Sequence, residues 1–103
     1  MTVEYRTGEN FGEISLDGEL DHHAAVVAIR EVLALIDENG PGRLRLDLKG
    51  VSFMDSSGLA LILNANKRVA SYGGALIVVN VPKQARRVLA SAGIDKVVNI
   101  EKG

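Results

Sequence analysis

Residues 73–81 read "GGALIVVNV": two turn glycines, then an apolar run with no polar face. Such a run marks a strand covered on both faces, which belongs inside a sheet with helices packed against it. It is far shorter than the roughly 20 apolar residues of a membrane span. The rest of the chain has to supply the neighbouring strands and the covering helices.

It does so in alternation. "TVEYR" (residues 2–6) and "FGEISLDGEL" (Phe11 to Leu20) carry the alternating pattern of strands, and the turn from Thr7 to Asn10 predicts a hairpin. From Asp21, a plausible N-cap, the period changes. Ala25, Val26, Ile29, Val32, Leu33 and Ile36 fall on one helical face, closed by Gly40 and Pro41. "RLRLDL" (43–48) predicts a third strand, and "KGVSFM" then carries the chain across the sheet end to Asp55. A helix from about Ser57 to Tyr72 has Leu59, Ile62, Leu63, Val69 and Ala70 inward. Pro82 suits the first turn of another helix, with Ala85, Val88, Leu89 and Ala92 inward, and "KVVNI" predicts a closing edge strand. The order β-β-α-β-α-β-α-β gives an α/β fold with parallel crossovers, as one domain over residues 1–103.

Composition narrows the function classes. A net charge of −1 with dispersed Lys and Arg offers no basic stripe, so nucleic acid is not an expected partner. The lack of cysteine excludes disulfides and thiolate chemistry. No signal-peptide pattern opens the chain, and a cytoplasmic protein without membrane contact is expected.

The chemistry concentrates in "SFMDSSGLAL", residues 52–61. A hydrolase built from His22 or His23, Asp55 and Ser56 would need glycine two positions before its serine, and Met54 stands there. No phosphate-loop or dinucleotide motif occurs. His22 and His23 are adjacent, so their rings leave the helix on different faces, and no metal is expected. Asp55, Ser56 and Ser57 include good N-caps, and Gly58 suits close packing. Capping uses one polar residue, whereas three in succession stand where α/β domains place functional sites. At about 100° per residue, Ser57, Leu61, Asn64 and Arg68 share the side opposite the core stripe. Leu61 is therefore expected to be exposed, as a candidate anchor for a partner.

"DLKGVSFMDSSGLALIL" together with "LDGELDHHAA" resembles the STAS-domain anti-sigma-factor antagonists, particularly the sporulation antagonist of spore-forming bacteria. The order of elements agrees over almost the whole chain. The general pattern is shared with transporter tails and stress-signalling scaffolds, while the double serine after aspartate favours the soluble switch branch. The resemblance implies a mixed four- or five-stranded sheet with helices mainly on one side. Carried over by position, Ser56 resembles the phosphorylated serine, Asp55 its preceding acid, Ser57 and Gly58 the following helix-start pair, and Asp21 the acid of the neighbouring loop. Sporulation relatives carry a further C-terminal helix that the residues up to Gly103 do not match.

The resemblance also implies partners. The unmodified form binds an anti-sigma factor that is also a serine kinase, freeing the sigma factor, and a PP2C-type phosphatase reverses the modification. Ser56 is then a substrate group of a protein that is not itself an enzyme, holds no cofactor and is a monomer when free. Asp21, Asp55, Ser56, Ser57, Gly58, Leu61 and Asn64 form the expected partner surface. Two alternatives stay open: a STAS module of another system, such as a stress-signalling scaffold or lipid-transport accessory, and a nucleotide-binding domain using Ser56 and Asp21.

Overall fold

The computed structural model describes residues 1–101. β1 (Thr2–Gly8) and β2 (Phe11–Leu20) form the hairpin, followed by α1 (His22–Asn39), β3 (Arg43–Met54), α2 (Ser57–Ser71), β4 (Ala75–Val79), α3 (Lys83–Ser91) and β5 (Asn99–Ile100). The element order is the one read from the sequence. Strands lie in the sheet in chain order, with β1 antiparallel to β2 and every later pair parallel. Each parallel step runs through a helix, and crossovers of one hand along an unreversed strand order bring those helices to one face.

Ile14, Leu16, Leu44, Leu46, Leu76 and Val78 carry the sheet's side of the core. The opposite face is polar where β2 meets β3: Glu13 accepts from Arg6 at 3.2 Å and from Arg45 at 3.3 Å. The expectation that β4 is covered on both faces holds only in part: on the second face Ala75 is exposed, while Val79 at the strand's end is fully buried. Ile77, opposite Arg45 in the register, is only half-buried, because neighbouring side chains and no second helix layer flank it.

Three boundaries differ from the sequence reading. β1 extends to Gly8, so the hairpin turns through Glu9 and Asn10, whose φ of 67° is left-handed. β3 runs on through "KGVSFM", which pairs with β2 up to Leu20 opposite Met54; register shifts in β2 near Asp17 and Gly18 let the pairing continue. Residues 96–100 are not one strand: a 3-10 turn at Ile94–Lys96 precedes the two-residue β5.

The Asp21 carboxylate caps α1 by accepting from the Ala24 N–H at 2.9 Å, and Gly40 at φ 51° ends the helix with its N–H on the Ile36 carbonyl. The buried stripe is Ala25, Ala28, Val32 and Ile36. Val26, expected inward, is 46% exposed. The two alanines explain the difference, since small side chains let the helix lie close to its neighbours and turn Val26 outward. Among the described residues, no helix is long and apolar enough to cross a membrane.

Candidate functional site

The site follows from the β2–β3 pairing. These strands are parallel neighbours that end together at Leu20 and Met54, so the helices they feed start side by side. The link is continued by the Asp55 N–H, which donates to the Leu20 carbonyl at 3.3 Å. Asp21, His22, Asp55, Ser56 and Ser57 are thereby gathered at the ends of two adjacent strands, where open α/β sheets hold their functional residues.

Within this cluster each polar group has a different occupation. The Asp55 carboxylate accepts from the Ser57 N–H at 2.8 Å, doing the work of a helix cap from one position upstream. Ser57 Oγ lies 3.3 Å from His22 Nδ1, a long hydrogen bond between the two helix starts. Ser56 holds the N-cap position of α2 in a helical conformation (φ −60°, ψ −19°), makes no capping bond with its side chain, and is exposed. The capping that the sequence distributes over three residues is thus performed by Asp55, which frees the Ser56 hydroxyl.

Gly58 is buried under Met54 and Leu20. A Cβ there would stand 2.7 Å from Met54 Cγ and 3.1 Å from Leu20 Cδ2, so the glycine lets the first turn of α2 lie against the strand ends. Asn64 is exposed two turns along α2 and returns its side-chain N–H to the Ala60 carbonyl at 2.7 Å.

Leu61 requires a correction. It is 1% exposed and belongs to the core, while Leu63, expected inward, is 39% exposed. The buried stripe of α2 is Gly58, Leu61, Ile62, Ala65 and Val69, so the helix is rotated relative to the sequence reading. "LALIL" offers apolar residues on several sides, and the small residues Gly58 and Ala65 select the packed face. Leu61 supports the site from beneath and presents no surface to a partner.

His22 and His23 have ring centroids 6.1 Å apart at 65°, and among the described residues no group of three His, Cys, Asp or Glu side chains could hold a metal ion. His22 approaches Ser57 and not Ser56, which removes the pairing a Ser56 nucleophile would need. Two residues escaped the sequence reading. One is His22 as the partner of Ser57; the other is Gln84 of α3, whose side chain bonds both the N–H and the carbonyl of Met54, each at 2.8 Å.

The far ends of α1 and α2 are joined separately. Asp37 accepts from Arg68 and, at 2.7 Å, from the Tyr72 hydroxyl. The Arg68 bond, then the Tyr72 bond, holds the Asp37 carboxyl below the usual carboxylate range, and the same Asp37 contact raises the Tyr72 phenol above its ordinary range.

Known proteins resemble this chain in sequence and in fold. The chain is 33% identical over 100 residues to the anti-sigma-B factor antagonist of Bacillus subtilis, covering 97% of this chain and 90% of that protein. It is 34% identical over 87 residues to the anti-sigma F factor antagonist of Paenibacillus polymyxa, covering 84% and 74%. An anti-sigma factor antagonist from Mycobacterium paratuberculosis has the same fold, with a TM-score of 0.87 at 24% identity over 99% of this chain and 86% of that one. The STAS domain profile matches residues 2–103, and the chain belongs to the STAS domain family.

Proposed function

We infer that this protein is an anti-sigma-factor antagonist switched at Ser56. In its unmodified form it docks on an anti-sigma factor that is also a serine kinase, and docking frees the sigma factor. Phosphate on Ser56 ends the docking, and a PP2C-type phosphatase restores it. One observation carries the reading: Ser56 is exposed at the start of α2 with no cap to maintain, while Asp21, Asp55 and Ser57 are each engaged. The chain acts as substrate and ligand, with Asp21, Asp55, Ser56, Ser57 and Asn64 on the docking side and Gly58 and Leu61 beneath it.

The charge balance explains how the switch works without refolding. A phosphate adds about −1.5 to −2 charges at neutral pH. The helix start favours such a charge by roughly 0.3 to 1 kcal/mol. Part of that benefit is already taken, because the Ser57 N–H is held by Asp55. A partner carboxylate about 5 Å from one added charge would be repelled by about 3 kcal/mol at an effective dielectric near 20. Since about 1.4 kcal/mol is tenfold in affinity, one such contact weakens the complex roughly a hundredfold. Repulsion in the interface outweighs the gain within the chain.

The test is to incubate the purified chain with the anti-sigma-factor kinase of its own organism and magnesium ATP, then to map the modified peptide by mass. The expected product carries one phosphate, on Ser56, and Ser56→Ala takes none. Phosphate on Ser57 in the wild-type chain, or none at all, contradicts the reading.

A further inference from the structure

The last pair between β3 and β4 joins Asp47 to Val79. β3 continues for seven residues beyond it, to Met54, with β2 alone as its neighbour. On the side that β4 has vacated, the backbone of Met54 would be left without a strand partner just before Asp55 and Ser56. Half-buried backbone groups require partners. Gln84, on the first turn of α3, supplies both: its Oε1 accepts from the Met54 N–H at 2.8 Å and its Nε2 donates to the Met54 carbonyl at 2.8 Å. A primary amide carries a donor and an acceptor side by side, as a peptide group does, so this side chain takes the place of a missing strand residue. Met54 in turn lies against Gly58, within 2.7 Å of where a Cβ would be. A path of direct contacts thus runs from α3 to the Met54 backbone and, through the Met54 side chain, to the first turn of α2.

We propose that Gln84 is a positioning residue for Ser56: by clamping the Met54 backbone it fixes the direction in which the serine segment leaves the sheet, and so how the hydroxyl is presented to the kinase. This rests on the reading of Ser56 as the modified residue. Presentation depends on both amide functions. Gln84→Ala removes both, and Gln84→Glu keeps an acceptor for the N–H but sets a negative oxygen against the Met54 carbonyl. Lys83→Ala changes an exposed neighbour on the same turn and leaves the clamp in place.

Two measurements test the proposal, both at a temperature where every variant is folded. In phosphorylation by the anti-sigma-factor kinase with magnesium ATP, Gln84→Ala and Gln84→Glu are expected to lose at least tenfold in kcat/KM, and Lys83→Ala less than twofold. In amide hydrogen exchange on the isolated chain, the Met54 N–H of Gln84→Ala is expected to exchange at least tenfold faster, while the Leu46 N–H in mid-strand keeps its rate. A folded Gln84→Ala that is phosphorylated at the wild-type rate overturns the proposal, as does equal acceleration at Met54 and Leu46, which would make Gln84 a general stabiliser. If the wild-type chain accepts no phosphate, the functional reading fails, and the exchange comparison still decides whether the clamp exists.

Discussion

The two ends of the α1–α2 pair are built on opposite principles. At the C-terminal ends Asp37, Arg68 and Tyr72 satisfy one another across the two helices. At the N-terminal ends a single long bond joins His22 to Ser57, and the adjacent Ser56 hydroxyl is left facing solvent. One end is closed by its own side chains, and the other leaves an exposed hydroxyl that caps nothing. A short domain thus keeps its helices in place while exposing a hydroxyl on one of them: fixed and available polar groups are separated by the length of a helix.

The contrast predicts a graded set of responses. The largest belongs to Leu61, which lies between the two ends in the core. Leu61→Asp buries a charge without a partner and is expected to cost about 4 kcal/mol or more, on the order of 20 °C in Tm. A melting curve like that of the wild type would place Leu61 at the surface and undo the rotation of α2 described above. Next comes Ser56→Asp, expected to weaken binding to the anti-sigma factor by about a hundredfold, read by calorimetry, with little change in Tm. Undiminished affinity would show that charge at the open end is not what the partner senses.

Gly58→Ala is intermediate. Helix propensity favours alanine by up to about 1 kcal/mol, but overpacking against Met54 and Leu20 costs about 1 to 3 kcal/mol, so a net loss near 1 kcal/mol is expected from urea denaturation. The smallest effect tests the closed end. Because the Asp37 carboxyl ionises below its ordinary range in the folded chain, its contribution is present at neutral pH and fades as pH falls through that depressed value. Tyr72, shifted upward, contributes below the ordinary phenol range and loses that contribution as pH rises through its raised value. Asp37→Asn is therefore expected to flatten the acid limb of Tm against pH. An unchanged acid limb would mean that the two ends are equally loose.

Much of this was legible in the residues themselves. The changes of period gave the element order, and Asp21 was readable as a cap because a lone acid precedes a regular apolar stripe. The phase of α2 was not legible: Leu59, Leu61, Ile62 and Leu63 give a helix several apolar directions, and only packing against Met54 and Leu20 decides among them. Val26 misled for a related reason, since hydrophobicity favours valine over alanine whereas close helix packing favours Ala25 and Ala28. The far part of β3 was obscured by Gly50 and by the shifted register of β2, features that only strand pairing reveals. Gln84 had no signature at all. A glutamine early in a helix is unremarkable until the strand beside it ends short.

Where β4 stops, the sheet narrows to a two-stranded tongue, and both helix mouths hang from its tip. The Gln84 amide moors that tip to α3, and the Asp55 N–H on the Leu20 carbonyl ties its two strands together, so Asp21 and Ser56 leave one common support. Under the proposed function, an incoming protein would therefore meet a paired set of contact points on a moored arm.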